Sequence, residues 1–157
     1  MSSKTFLAAA ALVLVAACAP KRIPGTEIDD TDDTRAILKV MEAYRSALEQ
    51  RDAPKVLAVV AESFKDDLGT PAAGDDLDYL RLRDQLPQSL ARLDDVKVEM
   101  TVRKVDVNKA DLTARAVYTY STSFRMPSLS SKPQSESEIK EMKLLKVAGA
   151  WKITSGI

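Results

Sequence analysis

The side chains that could carry out chemistry in this sequence are one cysteine, several tyrosines and many carboxylates. The chain has 157 residues, no histidine and a single cysteine, Cys18. Without an imidazole, the Ser-His-Asp and Cys-His arrangements of nucleophilic catalysis are excluded, and the most common metal ligand is missing. The usual imidazole general base is therefore absent, and no cofactor or metal site is predicted.

The position of Cys18 predicts lipidation. Residues 1–17 begin with a basic residue, Lys4, and continue as an uncharged apolar run that is typical of a secretion signal. The run is too short to cross a bilayer, which needs about 20 apolar residues. Its end, Val15-Ala16-Ala17-Cys18, resembles a bacterial lipobox, which implies cleavage before Cys18 and acylation of the cysteine. The alternative is an ordinary signal peptide followed by a chance cysteine.

The residues after Cys18 predict where the protein resides. Position 19 is alanine, and in lipoproteins an aspartate there usually signals retention in the inner membrane. The resemblance therefore implies an outer-membrane lipoprotein that faces the periplasm. Residues 18–33 contain Pro20, Pro24, Gly25 and a run of aspartates, so they are predicted to form a flexible tether. The aspartates lack the spacing and the glycine of a calcium loop.

Composition limits the remaining possibilities. Residues 34–157 fit one domain. Lysine and arginine total 23, and so do aspartate and glutamate. A balanced charge argues against nucleic acid as a partner, because that ligand favours a basic surface.

The first half of the domain has helical patterns. A first helix is predicted over residues 34–50, where Ile37, Met41, Tyr44 and Leu48 form one apolar face. A second helix follows, capped by Asp52, and ends near residue 64. A third helix is predicted after residues 75–76, and Pro87 should kink or split it.

In the second half, apolar residues recur at every second position, as they do in β-strands. Apolar residues alternate from Val96 to Val102, and the alternation slips by one residue at Lys104, which predicts a β-bulge. A turn at 108–111 precedes a long strand, a Ser/Pro loop at 127–135, a third strand over 137–147 and a fourth over 150–155. The apolar face of the long strand comprises Leu112, Ala114, Ala116, Tyr118, Tyr120, Phe124 and Met126.

Helices followed by a strand meander predict an α+β fold, with N-terminal helices packed on an antiparallel sheet. The run from Met41 to Asp52, then Ser63-Phe64-Lys65-Asp66, resembles the opening of nuclear transport factor 2-like (SnoaL-like, cystatin-like) domains. The sequence from Leu144 to Ile153, with Gly149 before Trp151, resembles their last hairpin. The resemblance covers residues 34–157 and implies a strongly curved, cone-shaped sheet, often with a pocket.

The resemblance includes ketosteroid isomerases, which have a tyrosine on the first helix and a base aspartate after the second, followed by a glycine. Tyr44 corresponds to the tyrosine, and Asp66, three residues before Gly69, corresponds to the aspartate when the chain is shortened by about two residues. Their second, protonated acid has no counterpart on the apolar face of the long strand. We therefore expect Asp66 to be solvated and ionised, and Tyr44 to pack in the core.

Three functions remain open. The first is a non-catalytic binding or scaffolding module for a small apolar ligand or an envelope protein. The second is a His-independent isomerase or lyase that uses Tyr44 and Asp66. The third is a structural subunit, and a homodimer is compatible with each of them. The aromatic residues predicted to line a pocket or the core are Tyr44, Tyr118, Tyr120, Phe124 and Trp151.

Overall fold

The computed structural model describes residues 21–67 and 76–157, which form two helices, a small two-stranded sheet, a third helix and a four-stranded sheet. Helix α1 spans Asp32–Glu49 and helix α2 spans Ala53–Val59. The first helix starts two residues before its predicted position, because Thr31 caps it and exchanges side-chain hydrogen bonds with Thr34. The predicted apolar stripe is buried, including Ile37, Met41 and Tyr44.

The second helix is shorter than predicted. It ends at Val59, because Val60 adopts an extended backbone and pairs with Ile153 in a parallel bridge. The Ala61 N–H donates to the Ile153 carbonyl oxygen over 2.8 Å. Residues 60–61 therefore lie along one edge of the sheet.

The structure also corrects the predicted tether. Arg22 and Asp29 form an antiparallel bridge, and the Asp30 N–H donates to the Lys21 carbonyl oxygen over 2.6 Å. Ile28 is only 2% exposed. Residues 21–31 are therefore a folded turn rather than a flexible tether, and Asp32 already belongs to α1.

Strands β1 (Lys65–Asp66) and β2 (Leu77–Asp78) pair antiparallel, and helix α3 follows over Tyr79–Ala91. The third helix begins later than residues 75–76, because Asp78 is its cap. It is one helix that contains Pro87, so of the two predicted effects of this proline, a kink or a split, the split does not occur.

The large sheet consists of β3 (Asp94–Asn108), β4 (Thr113–Met126), β5 (Ser130–Val147) and β6 (Ala150–Ser155), antiparallel and in chain order. The pairing of β3 with β4 shifts between Val102 and Lys104, which confirms the bulge. The predicted Ser/Pro loop is largely strand, because Ser135 and Gln134 pair with β4.

The helices pack on one face of this sheet, as the predicted α+β class requires. The core joins α1, α2 and α3 residues to inward-facing residues of β4, β5 and β6. Leu112 was predicted on the buried face but is 50% exposed, because it lies in the β3–β4 turn. Within the described residues, no helix is both long and apolar enough to cross a membrane.

Candidate functional site

Asp66 is buried. Its side chain is 9% exposed, so the prediction that it stays solvated is wrong. Its carboxylate oxygen Oδ2 accepts a hydrogen bond of 2.6 Å from the backbone N–H of Gly156, which is 90 residues later in the chain. The end of β6 therefore covers this side chain and binds it.

Gly156 can approach β5 closely because it has no side chain. Its backbone φ is +84°, a region that other residues rarely adopt. A Cβ atom there would lie 1.9 Å from the carbonyl oxygen of Glu141. Glycine is therefore required at this close approach between the chain end and β5.

Tyr118 completes this arrangement from the centre of the sheet. It is fully buried, and its hydroxyl donates to the Gly156 carbonyl oxygen over 2.8 Å. Burial raises the pKa of Tyr118, so its hydroxyl remains protonated and acts as a donor. The two backbone polar groups of Gly156 thus connect Asp66 to Tyr118.

Tyr44 lies in the core on α1, where it is 5% exposed. Burial raises its pKa well above the usual value, and the neighbouring tyrosines Tyr120 and Tyr118 and the carboxylate of Asp66 add to the shift. Tyr44 is therefore close enough to Asp66 for its pKa to be affected by that carboxylate, but it packs as a neutral core residue.

A cavity of about 470 Å³ lies beside Asp66. It is polar, and Tyr44 and Tyr118 are not among its lining residues, which are Lys65, Asp66, Asp67, Asp76, Glu141, Lys143, Ser155 and Gly156. Several of the charges are paired within the protein, since Lys65 lies 3.4 Å from Asp76 and Glu141 binds Arg115 at 2.5 Å. The tyrosine and the aspartate of the isomerase comparison therefore do not meet in this cavity.

The other predicted aromatic residues divide between core and surface. Tyr120 is half-buried, packs edge-on against Tyr118 at 6.5 Å between ring centroids, and has the Lys140 ammonium 5.0 Å from its ring. Phe124 is also half-buried and lines a separate surface cavity at the far end of the sheet. Trp151 is 4% exposed and packs in the core.

A second cavity, of about 590 Å³, lies between α2, the start of α3 and the β5–β6 hairpin. We call it the α2 groove, and its apolar lining includes Leu57, Val60, Ala61, Tyr79 and Val147. Val147 was predicted as an apolar strand residue but is 47% exposed, and it faces this groove. Sequence periodicity cannot find such a groove, because it depends on how α2 packs beside β6.

Cys18 and Gly69 lie outside the described residues.

Comparison with known proteins identifies the fold. No protein-family model and no curated protein matches the sequence. Solved structures do match, including a ketosteroid isomerase-like protein from Erwinia carotovora atroseptica, with 17% identity, 81% of this chain and 98% of that chain covered, and a TM-score of 0.64. A protein from Streptomyces avermitilis, assigned as a dehydratase of the nuclear transport factor 2-like family, covers 80% of this chain and 95% of its own at 17% identity and a TM-score of 0.61.

A third match is a hexachlorocyclohexane dehydrochlorinase, at 9% identity, with 79% of this chain and 82% of that chain covered and a TM-score of 0.65. These identities are too low to transfer an activity. The chain therefore has the cone-shaped nuclear transport factor 2-like fold, on which enzymes are found.

Proposed function

We propose that this protein is a lipoprotein of the bacterial envelope, anchored through Cys18 at the periplasmic face of the outer membrane, and that its domain binds a ligand rather than catalysing a reaction. The anchor is supported by the lipobox-like Val15-Ala16-Ala17-Cys18 and the alanine at position 19. The binding role is supported above all by one observation, the α2 groove with its apolar wall between α2 and the β5–β6 hairpin.

The hydrogen bond from the Gly156 N–H to Asp66 weakens the case for catalysis. A carboxylate base must reach its substrate with a free lone pair, and it needs a donor nearby to stabilise the negative charge that develops. One oxygen of Asp66 is bound to Gly156, and Tyr44 is enclosed in the core. Tyr44 lines neither the cavity beside Asp66 nor the α2 groove.

The α2 groove is the site that we assign to the ligand. Its apolar wall, formed by residues such as Leu57, Val60 and Val147, suits a small apolar molecule or an apolar segment of an envelope protein. The cavity at Asp66 suits neither ligand, because most of its lining residues are charged, whereas Glu62 and Lys152 are the charged residues in the lining of the α2 groove.

Binding can be tested with the lipid-free domain and the fluorescent probe N-phenyl-1-naphthylamine. We expect saturable binding that Val147→Asp abolishes, because a charge would then lie in the apolar wall. Leu129→Asp is the matched control, since Leu129 is 74% exposed in the β4–β5 turn and far from the groove. Equal loss in both variants, or no loss in either, contradicts the assignment.

The anchor has its own test. Cys18→Ser should abolish incorporation of labelled palmitate and block processing of the precursor. Palmitate labelling that persists in this variant would show that the lipoprotein assignment is wrong.

An enzyme is the second candidate, and one observation favours it: Asp66 is 9% exposed and still lines a cavity. The candidate reaction is a proton transfer of the ketosteroid isomerase type, with Asp66 as base and Tyr44 as donor. The test is whether the protein exchanges a proton of a ketosteroid-like substrate with solvent. If it does, and if Asp66→Asn abolishes the exchange while its circular dichroism spectrum is unchanged, catalysis is favoured over binding.

A further inference from the structure

The folded segment at the start of the described chain places the domain close to its anchor. Only Ala19 and Pro20 separate Cys18 from Lys21, whose carbonyl oxygen and ammonium group both bind Asp30. Three residue steps span at most about 11 Å. If Cys18 carries the lipid, as the proposed function states, Lys21 cannot lie farther than this from the membrane interface.

Several elements meet at this end of the domain. Because β3 to β6 are antiparallel and in chain order, the β3–β4 and β5–β6 turns lie at the same end of the sheet. The Lys146 N–H donates to the Leu112 carbonyl oxygen over 2.8 Å and connects the two turns. The Lys146 ammonium binds Asp33 at 2.6 Å, which brings the N-terminus of α1 to the same place.

We call this surface the anchor end and define it as Lys21, the turn 109–112 and the turn 148–149. All the residues of both turns are exposed, including Lys109 and Leu112, which could contact headgroups and the upper acyl region. Nearby aspartates are bound within the protein: Asp30 by Lys21 and Arg35, and Asp33 by Lys146.

We propose that the anchor end faces the bilayer surface and that the short link to Cys18 holds it there. Asp32 and Glu27 remain exposed, so this end is not a basic patch. The placement therefore depends on the length of the chain and not on attraction to anionic lipids.

This orientation decides what each site faces. Val147 adjoins the 148–149 turn, so the α2 groove opens near the membrane, from which an apolar ligand could enter. Strand β6 has six residues, and the Asp66 cavity at its end therefore lies about 20 Å farther out. The β4–β5 turn lies at the opposite end of β4, whose 14 residues have a contour length of roughly 45 Å.

Energy transfer to the membrane tests the proposal. The lipidated protein has no other thiol, so Lys109→Cys and Leu129→Cys can each be labelled with one donor fluorophore. Both are reconstituted into phosphatidylethanolamine–phosphatidylglycerol vesicles that contain a headgroup-labelled acceptor. We expect strong energy transfer from the fluorophore at position 109 and much weaker transfer from the fluorophore at position 129. The pattern should persist in about 1 M salt, where charges are screened beyond about 3 Å.

Flotation of the protein with the vesicles is measured first. Failure to float contradicts the lipid anchor, whereas flotation with equal transfer from both positions overturns the orientation alone. Loss of transfer from position 109 in high salt would overturn the chain-length argument.

A longer link is the second variant. Insertion of about 20 Gly/Ser residues after Pro20 gives a mean span of about 25 Å and should reduce transfer from position 109. Unchanged transfer would show that something other than the short link holds this end at the bilayer.

Discussion

The indole N–H of Trp151 donates to the carboxylate oxygen Oδ1 of Asp33 over 3.1 Å and joins the last hairpin to the first turn of α1. The same oxygen accepts from the Lys146 ammonium at 2.6 Å, and that ammonium lies 5.6 Å from the centre of the Trp151 ring. One carboxylate thus binds the two strands of the hairpin to the helix.

Trp151 should therefore contribute through packing and through this hydrogen bond. Trp151→Ala is expected to lower the free energy of unfolding by about 3–5 kcal/mol, because it leaves a cavity in the core. Trp151→Phe keeps most of the packing and should cost about 1.5–3 kcal/mol, the range for a hydrogen bond to a charged group. Urea titration followed by circular dichroism measures both. A loss below about 1 kcal/mol for Trp151→Ala would place the side chain outside the core.

Asp33 should make stability depend on acid pH. The hydrogen bond from Lys146 lowers the pKa of Asp33, and the bond from Trp151 lowers it further. The pKa is thus lower in the folded chain than in the unfolded chain, where it is about 3.9. The stabilisation is present above about pH 4 and is lost as the pH falls through the folded-state pKa.

Asp33→Asn should remove this dependence. Its free energy of unfolding should be lower than that of the natural protein at pH 7, and the difference should shrink between about pH 4 and pH 2. Asp32→Asn is the control, because Asp32 is fully exposed in the same turn. A difference between the natural protein and Asp33→Asn that does not change with pH would contradict this role.

The parts of the fold that were predictable from sequence depend on local patterns. The apolar stripe that contains Ile37 and Met41 indicated α1, and the phase slip at Lys104 indicated the bulge. The predicted tether failed because the burial of Ile28 is a tertiary contact in an acidic segment. The burial of Asp66 was not predictable either, because its partner Gly156 is 90 residues away in the chain.

Any side chain at Gly156 should lower the stability of the fold, for a steric reason. In Gly156→Ala, the new Cβ would meet the Glu141 carbonyl oxygen at 1.9 Å, and the positive φ adds strain. We expect a loss of about 1–3 kcal/mol in unfolding free energy and release of the Asp66 carboxylate.

Gly149→Ala is the matched control for this effect. Gly149 has the same φ of +84°, but its Cβ would have no atom within 4 Å, so only the backbone strain remains. We expect a loss of about 1 kcal/mol, smaller than that of Gly156→Ala. Equal losses in a urea titration would show that the contact with Glu141 is not the cause.

Glu49 and Arg45 bind the edge of the sheet at Val98. Strand β3 is an edge strand, and the Val98 N–H donates to Glu49 over 3.0 Å. Arg45 donates to the Val98 carbonyl oxygen over 3.2 Å and binds Glu49 at 2.6 Å. The pair therefore takes the place of a neighbouring strand at this position, and the bond from Val98 lowers the pKa of Glu49.

Removal of this carboxylate should open the edge locally. In Glu49→Ala, the Val98 amide should exchange its hydrogen faster than in the natural protein. The free energy of unfolding should fall by about 1 kcal/mol, a modest loss because the Glu49 side chain is one-third exposed and solvent weakens its interactions. Glu42→Ala is the control, since Glu42 binds Arg45 but does not contact β3, and it should change stability by less than about 0.5 kcal/mol. Hydrogen exchange measured by NMR distinguishes the two variants. If the Val98 amide exchanges equally fast in both, the helix does not protect this edge.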